Sequence, residues 1–248
     1  MEKIVGNGNV EKSNSPRLFT KLDYSKFPRG SSTLYDSFDD QNIVIRKSFV
    51  GGIDDRNSKG MDYSEKEKYL RDRANQFKEI INSLGIRMAK TDYLIGDSLS
   101  SPKDPALFGV TERINGEGLD KINDWGKEIV AKIDDIYAKA ISAFIDSYQR
   151  NGKAWHDLRN GQFIYGKTEE DEKPDIYLVD ADPAIVDWDD PDFEEKYHME
   201  KKAVFLRKIN FFEREIDDLE RSLSESEYNF IKARKMIDRA HVEILNKF

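Results

Sequence analysis

Two short stretches concentrate the side chains best suited to chemistry. The first reads Ala154-Trp155-His156-Asp157-Leu158-Arg159-Asn160-Gly161-Gln162-Phe163-Ile164-Tyr165, the second Ile176-Tyr177-Leu178-Val179-Asp180-Ala181-Asp182-Pro183. Carboxylates accept protons, and with carboxamide oxygens they ligate hard cations such as magnesium or calcium. Asp157, Gln162 and Asp180 are of these types, and they occur in order around strand-like sequence. Taken alone, His156-Asp157 is an ordinary loop at a helix end, and Asp180 with Asp182 is a solvated strand end. The glycine-centred spacing of a calcium loop is not found nearby. The chain has no cysteine, so disulfides, thiolate metal sites and thiol nucleophiles are excluded, and a reducing cytoplasm fits best.

These residues need elements to position them. A wide apolar stripe (Ile129, Ile133, Ile136, Tyr137, Ala140, Ile141, Phe144, Ile145, Tyr148) predicts a long core helix ending before Asn151-Gly152. Gln162–Tyr165 and Ile176–Val179 read as the two halves of a hairpin, with the acidic run Glu169–Glu172 as its solvated tip. Upstream, residues 1–17 are polar and predict a loose tail. Ile43–Phe49 is a β-branched strand, and Leu70, Ala74, Phe77, Ile81 and Leu84 mark a helix over about 64–84 with Gly85 as its C-cap. Ile86–Ile95 and Ala106–Ile114 predict strands, and Asn115–Leu119 a turn-rich linker. From Asp192 onward two amphipathic helices are expected, the second begun by the capping box Ser224-Glu225-Ser226-Glu227. The stripe Phe205, Ile209, Phe212, Ile216, Leu219 reads as core before partner groove.

With 248 residues, the chain can form one two-lobed domain or two small ones, with a sizeable core. A net charge of −8 argues against a general nucleic-acid coat. No apolar run is long enough to span a bilayer, so the expectation is a soluble, cytoplasmic protein.

In their order, these features resemble the protein-kinase-like superfamily. There a catalytic H-x-D or H-D loop is followed, after four intervening residues, by a metal-binding amide, and a hydrophobic strand then delivers a second aspartate. His156-Asp157 matches the loop, Gln162 falls at the amide position where Asn is usual, and Asp180 follows Ile176–Val179. The resemblance covers roughly residues 25 to 190. It implies an α+β, protein-kinase-like two-lobed fold with a C-terminal helical pair. The corresponding segments are a tail over 1–17, an N-lobe of small antiparallel sheet plus one helix over 18–114, a helical C-lobe over 115–191 and the helical pair over 192–248.

The implied function is ATP- and magnesium-dependent transfer of a phosphoryl group to a hydroxyl of an unidentified acceptor. Such transfer is mostly positioning and charge neutralisation. Asp157 would be the base, and Gln162 and Asp180 the magnesium ligands. Arg29-Gly30-Ser31-Ser32 looks like a degenerate phosphate-covering loop, so Gly30 and Ser31 would meet the nucleotide. Lys47, or Arg46 on the opposite face of the same strand, would contact phosphate. The backbone of Glu112 to Ile114 would meet adenine. Asp180-Ala181-Asp182 replaces D-F-G and no A-P-E-like segment follows, which is closer to small-molecule, lipopolysaccharide or other atypical kinases than to regulated protein kinases. The alternative is a catalytically weak pseudokinase, or a nucleotide-binding scaffold meeting a protein partner through its C-terminal helices.

Overall fold

The computed structural model describes the backbone of residues 2–4, 17–21, 33–37, 43–47, 60–98, 101–119, 126–179, 183–223 and 229–246. Gly30, Ser31, Asp180 and the capping box at 224–227 lie outside the described residues. The chain is a mixed α+β protein with small antiparallel sheets and C-terminal helices. It divides into two compact units. One holds residues up to Lys78 together with Met88–Ile114, and the other holds Glu79–Arg87 and most of the chain from Asn115 onward.

In the first unit, β1 (Glu2–Ile4), β2 (Arg17–Lys21), β3 (Thr33–Ser37), β4 (Ile43–Lys47), β5 (Thr91–Ser98) and β6 (Ser101–Glu112) form a six-stranded sheet ordered β1-β2-β3-β4-β6-β5. Every neighbouring pair is antiparallel. Residues 1–17, expected as a loose tail, contribute a strand: Glu2 pairs with Phe19 and Ile4 with Arg17. Backbone groups pair whatever the side-chain polarity, so an edge strand needs no apolar pattern. The strand expected over Ile86–Ile95 begins only at Thr91, and the one expected from Ala106 begins at Ser101. Pro105 is tolerated in β6 because it faces Asp97 beside the irregularity at Asp97/Ser98.

Between β4 and β5 in sequence runs α1 (Tyr63–Ser83), whose stripe Leu70, Ala74, Phe77 and Ile81 is buried. A reciprocal box starts it: Asp62 Oδ1 accepts from the Glu65 N–H at 2.9 Å, and Glu65 Oε2 accepts from the Asp62 N–H at 3.0 Å. Gly85, at φ +63°, ends it as expected, and the Ile86 N–H reaches back to the Ile81 carbonyl at 3.4 Å.

The second unit is built on α2 (Lys127–Gln149), which buries Val130, Ile133, Tyr137, Ala140, Ile141, Phe144 and Ile145. A three-stranded sheet joins β7 (Asn115–Gly118), β9 (Phe163–Lys167) and β10 (Asp175–Leu178) in the order β10-β9-β7. The expected hairpin is β9–β10, with Tyr165 facing Ile176 and Phe163 facing Leu178. The segment expected as a linker is β7 itself, and its Gly116 lies opposite Gly166. β8 (Lys153–Trp155) pairs with β11 (Ile185–Asp187). Three helices follow: α3 (Phe193–Tyr197), α4 (Lys201–Ser222) and α5 (Ile231–Asn246). The α4 stripe Phe205, Ile209, Phe212, Ile216 and Leu219 is buried within the chain, so it is core and not an open partner face. Among the described residues, no helix is long and apolar enough to cross a membrane.

α5 starts at Ile231, with residues 229–230 non-helical, not at the expected capping box. The cap comes from another helix. Asp134 of α2, itself buried, accepts from the Ala233 N–H at 2.8 Å and the Lys232 N–H at 3.1 Å. A carboxylate satisfying two first-turn amides also opposes the positive end of the helix dipole. Arg234 then ties α5 to α4 through Asp217 at 2.5 Å and Glu220 at 2.6 Å. Asp134→Ala should lower the unfolding free energy by about 2–3 kcal/mol, because it removes two charge-assisted bonds and strands the buried Ala233 amide. Asp134→Asn should lose less. Urea denaturation followed by circular dichroism checks both, and equal losses for the two variants would refute the capping account.

Candidate functional site

The loop that carries Asp157 is held at both ends by β structure. β8 leads into it from α2, and just beyond Trp155 the His156 N–H donates to the Ala184 carbonyl at 3.1 Å. At the other end a 3-10 turn, Asn160–Gln162, closes with the Gln162 N–H on the Arg159 carbonyl at 3.1 Å. The Gln162 carbonyl accepts from the Val179 N–H at 2.9 Å. This bond ties the loop to the end of the hairpin, one residue before Asp180 in the chain.

Asp157 and Gln162, five apart in sequence, are in direct contact. Gln162 is buried and donates from Nε2 to Asp157 Oδ2 at 3.0 Å, while its Oε1 accepts from the Arg159 N–H at 3.1 Å. The carboxamide orientation follows from donor chemistry: the reverse would set donor against donor at Arg159 and acceptor against acceptor at Asp157. The other Asp157 oxygen, Oδ1, accepts from Arg159 Nε at 2.8 Å. The carboxylate is therefore gripped through both oxygens. The Gln162 oxygen expected to ligate magnesium is turned onto the backbone of its own loop. For it to reach a metal, the carboxamide must rotate and give up two bonds. Among the described residues, no group of three or more His, Cys, Asp or Glu side chains is arranged to hold a metal ion.

Beneath the loop, Asn160 is clamped from two helices. Tyr137 of α2 donates its hydroxyl to Asn160 Oδ1 at 2.5 Å. Glu215 of α4 accepts the Asn160 N–H at 3.0 Å, and the Glu215 carbonyl accepts from Nδ2 at 3.3 Å. Burial pushes the Tyr137 phenol well above its ordinary range, so it stays a donor. Burial also raises the Glu215 carboxyl, against the Asn160 N–H bond that lowers it. From α4, the half-buried Lys208 faces the same loop. Its ammonium lies 5.7 Å from the centre of the Phe211 ring, and the Arg159 guanidinium lies 5.6 Å from that ring. Burial pushes the Lys208 amine down to about 8, and the nearby Asp157 charge only partly offsets this.

The hairpin tip is more than a solvated turn. Asp171 accepts from the Thr168 N–H at 2.8 Å and its hydroxyl at 2.9 Å, and from the Tyr177 hydroxyl. Arg87 bonds Asp171 at 2.5 Å and Asp175 at 3.2 Å while stacking 4.4 Å over Tyr177. The bond from Tyr177, joined by those from Thr168 and Arg87, holds the Asp171 carboxyl well below the usual carboxylate range. This network braces the strand that ends before Asp180.

The remaining sequence-predicted residues belong to the first unit. Arg46 and Lys47 end β4, Arg46 opposite Leu34 and Gly109, Lys47 opposite Thr33 and Phe108. Glu112 ends β6 with its N–H on the Lys90 carbonyl at 2.9 Å and its carboxylate accepting the Lys90 N–H at 2.7 Å. Ile114 is buried. Sequence reasoning missed Lys208, Phe211 and Glu215, because they come from α4, read as a core stripe, and only folding brings them to the loop. Arg159 carried a local signal: it lies two residues after Asp157. No protein-family model matches this sequence, and no curated protein matches it either.

Proposed function

We propose that the chain is a protein-kinase-like phosphotransferase that moves a phosphoryl group from ATP, accompanied by magnesium, to a hydroxyl acceptor. The observation that carries this reading is the Asp157–Gln162 loop. One carboxylate is preoriented by a carboxamide five residues on, and that carboxamide's backbone is bonded to the strand leading to Asp180. Further support comes from the antiparallel sheet with the helix Tyr63–Ser83 between β4 and β5 in the chain, the order that the resemblance implies. Asp157 orients the acceptor hydroxyl and takes its proton as the oxygen attacks. Gln162 acts as a positioning residue for Asp157. Magnesium, when bound, neutralises phosphate charge, and Asp180 is the carboxylate left to the metal role by sequence. Lys47, with Arg46 as the alternative, keeps the phosphate-contact role that the resemblance implies.

The Gln162 geometry also favours a second reading, a nucleotide-binding scaffold of low activity, since a carboxamide held by its own loop must give up two hydrogen bonds to join a metal. The two separate in one experiment on the full chain. ATP turnover is measured with and without magnesium for the wild type and for Asp157→Asn, beside a thermal shift with ATP. The phosphotransferase reading expects turnover that falls by about 10²–10⁴-fold in Asp157→Asn while the thermal shift persists. A thermal shift without turnover supports the scaffold. Absence of both would end the ATP-based readings.

A further inference from the structure

Lys208 holds a half-buried charge that its surroundings desolvate. Among the described residues it has no ion-pair partner. Its ammonium lies over Phe211, whose ring it shares with Arg159. Bringing two cations to one ring is unfavourable unless anions offset them, and the Asp157 carboxylate is bonded directly to Arg159 alone of the two. The carboxylate nearest in charge is Asp157, whose two oxygens are already engaged by Arg159 and Gln162. Arg159 and Arg207 oppose the Lys208 charge. Glu215 is occupied by Asn160. The local balance therefore leaves positive charge beside the Asp157 carboxylate. With its amine at about 8, Lys208 is still largely protonated at neutral pH.

We propose that Lys208 binds an anionic group, a phosphate or carboxylate, carried by the molecule whose hydroxyl Asp157 handles. Calling that molecule an acceptor rests on the phosphotransferase reading, whereas the anion subsite rests on Lys208, Arg159 and Phe211. It narrows the substrate class to small hydroxyl compounds bearing an anion, held so that the hydroxyl falls to Asp157. The rival is a lysine that lays its stem on Phe211 and extends its ammonium to water.

The test uses the full chain at neutral pH, with inorganic phosphate and acetate as probes. Acylation of Lys208 by acetic anhydride is followed by mass spectrometry, with the exposed Lys235 as internal reference. Phosphate or acetate is expected to slow Lys208 acylation several-fold and leave Lys235 unchanged, and the probe that protects more identifies the anion. By calorimetry, Lys208→Met should weaken binding of the protecting anion about tenfold or more, and Lys208→Arg should retain most of it. Unprotected Lys208, or a Lys208→Met variant that binds both anions like the wild type, overturns the subsite. The acylation arm uses wild-type protein, so it stands even if the variant misfolds. ATP turnover is recorded in parallel. Anion protection without any ATP binding sinks the phosphotransferase reading and leaves the subsite, while turnover without anion protection does the reverse.

Discussion

Trp188→Ala should lower the unfolding free energy by about 3–5 kcal/mol, the range for emptying a large buried aromatic site. Trp188 is fully buried at the meeting point of α2, α3 and α4. It meets Phe144 edge-on at 5.4 Å and Tyr148 edge-on at 5.0 Å, and stacks on Phe193 at 5.4 Å. Each such pair adds to the area it buries. The indole N–H donates to Ser147 Oγ at 2.9 Å, and that hydroxyl donates in turn to the Phe144 carbonyl at 2.8 Å. The Trp188 N–H also donates to the Gly152 carbonyl at 3.0 Å, which fixes the turn between α2 and β8. Alanine would leave a cavity among rings that cannot close it. Trp188→Phe should lose only about 1–2 kcal/mol, chiefly the indole hydrogen bond and unfilled volume. Guanidinium denaturation of both variants measures the difference. A loss below about 1 kcal/mol for alanine would mean that the cluster is not the core of this unit.

Gly116→Ala is expected to be nearly as damaging, for a steric reason. A Cβ at Gly116 would lie 2.2 Å from the Tyr165 carbonyl oxygen and 2.5 Å from Gly166 Cα. The converse holds at Gly166, where a Cβ would meet the Asn115 carbonyl oxygen at 2.6 Å. These are backbone atoms, so no rotamer change relieves the overlap. Either the strands separate or the register slips, and a slip by one residue turns every side chain to the other face. About 2–4 kcal/mol of stability should go, at or above the upper end for overpacking. Gly109→Ala in β6 is the control. Its Cβ would meet Thr91 Cγ2 at 3.7 Å and Thr111 Oγ1 at 3.9 Å, both ordinary contacts. Hydrogen exchange at β7 and β9 should accelerate in Gly116→Ala and stay unchanged in Gly109→Ala. Because β9 continues directly from Gln162, the same variant should loosen the Asp157 loop.

What could be read from the sequence alone was local. The stripe of α2 announced a core helix because 3.6-residue periodicity needs no knowledge of the partner, and the stripe of α4 did the same. Gly85 marked the end of α1 because only a left-handed residue closes that turn cheaply. The β9–β10 hairpin was legible from two β-rich runs around a polar tip. Asp157 and Gln162 were singled out by spacing, and folding brings them into contact, although the carboxamide faces Asp157 with its nitrogen and not its oxygen.

Tertiary structure decided the rest, because the deciding partners are remote in the chain. β7 has the composition of a linker, and it is a strand because Gly116 and Gly166 let two backbones approach where any side chain would intervene. The first turn of α5 is capped by Asp134, about a hundred residues away, a buried carboxylate that satisfies two amides at once. Asp171 looked like one of several solvated acids until Arg87, Thr168 and Tyr177 converged on it. Lys208 and Arg159 are far apart in sequence, and only packing α4 against the loop sets both on Phe211. Periodicity reports which face of an element is apolar. It carries no information on which distant charge, ring or backbone that face will meet, and the chemistry of this site depends on those meetings.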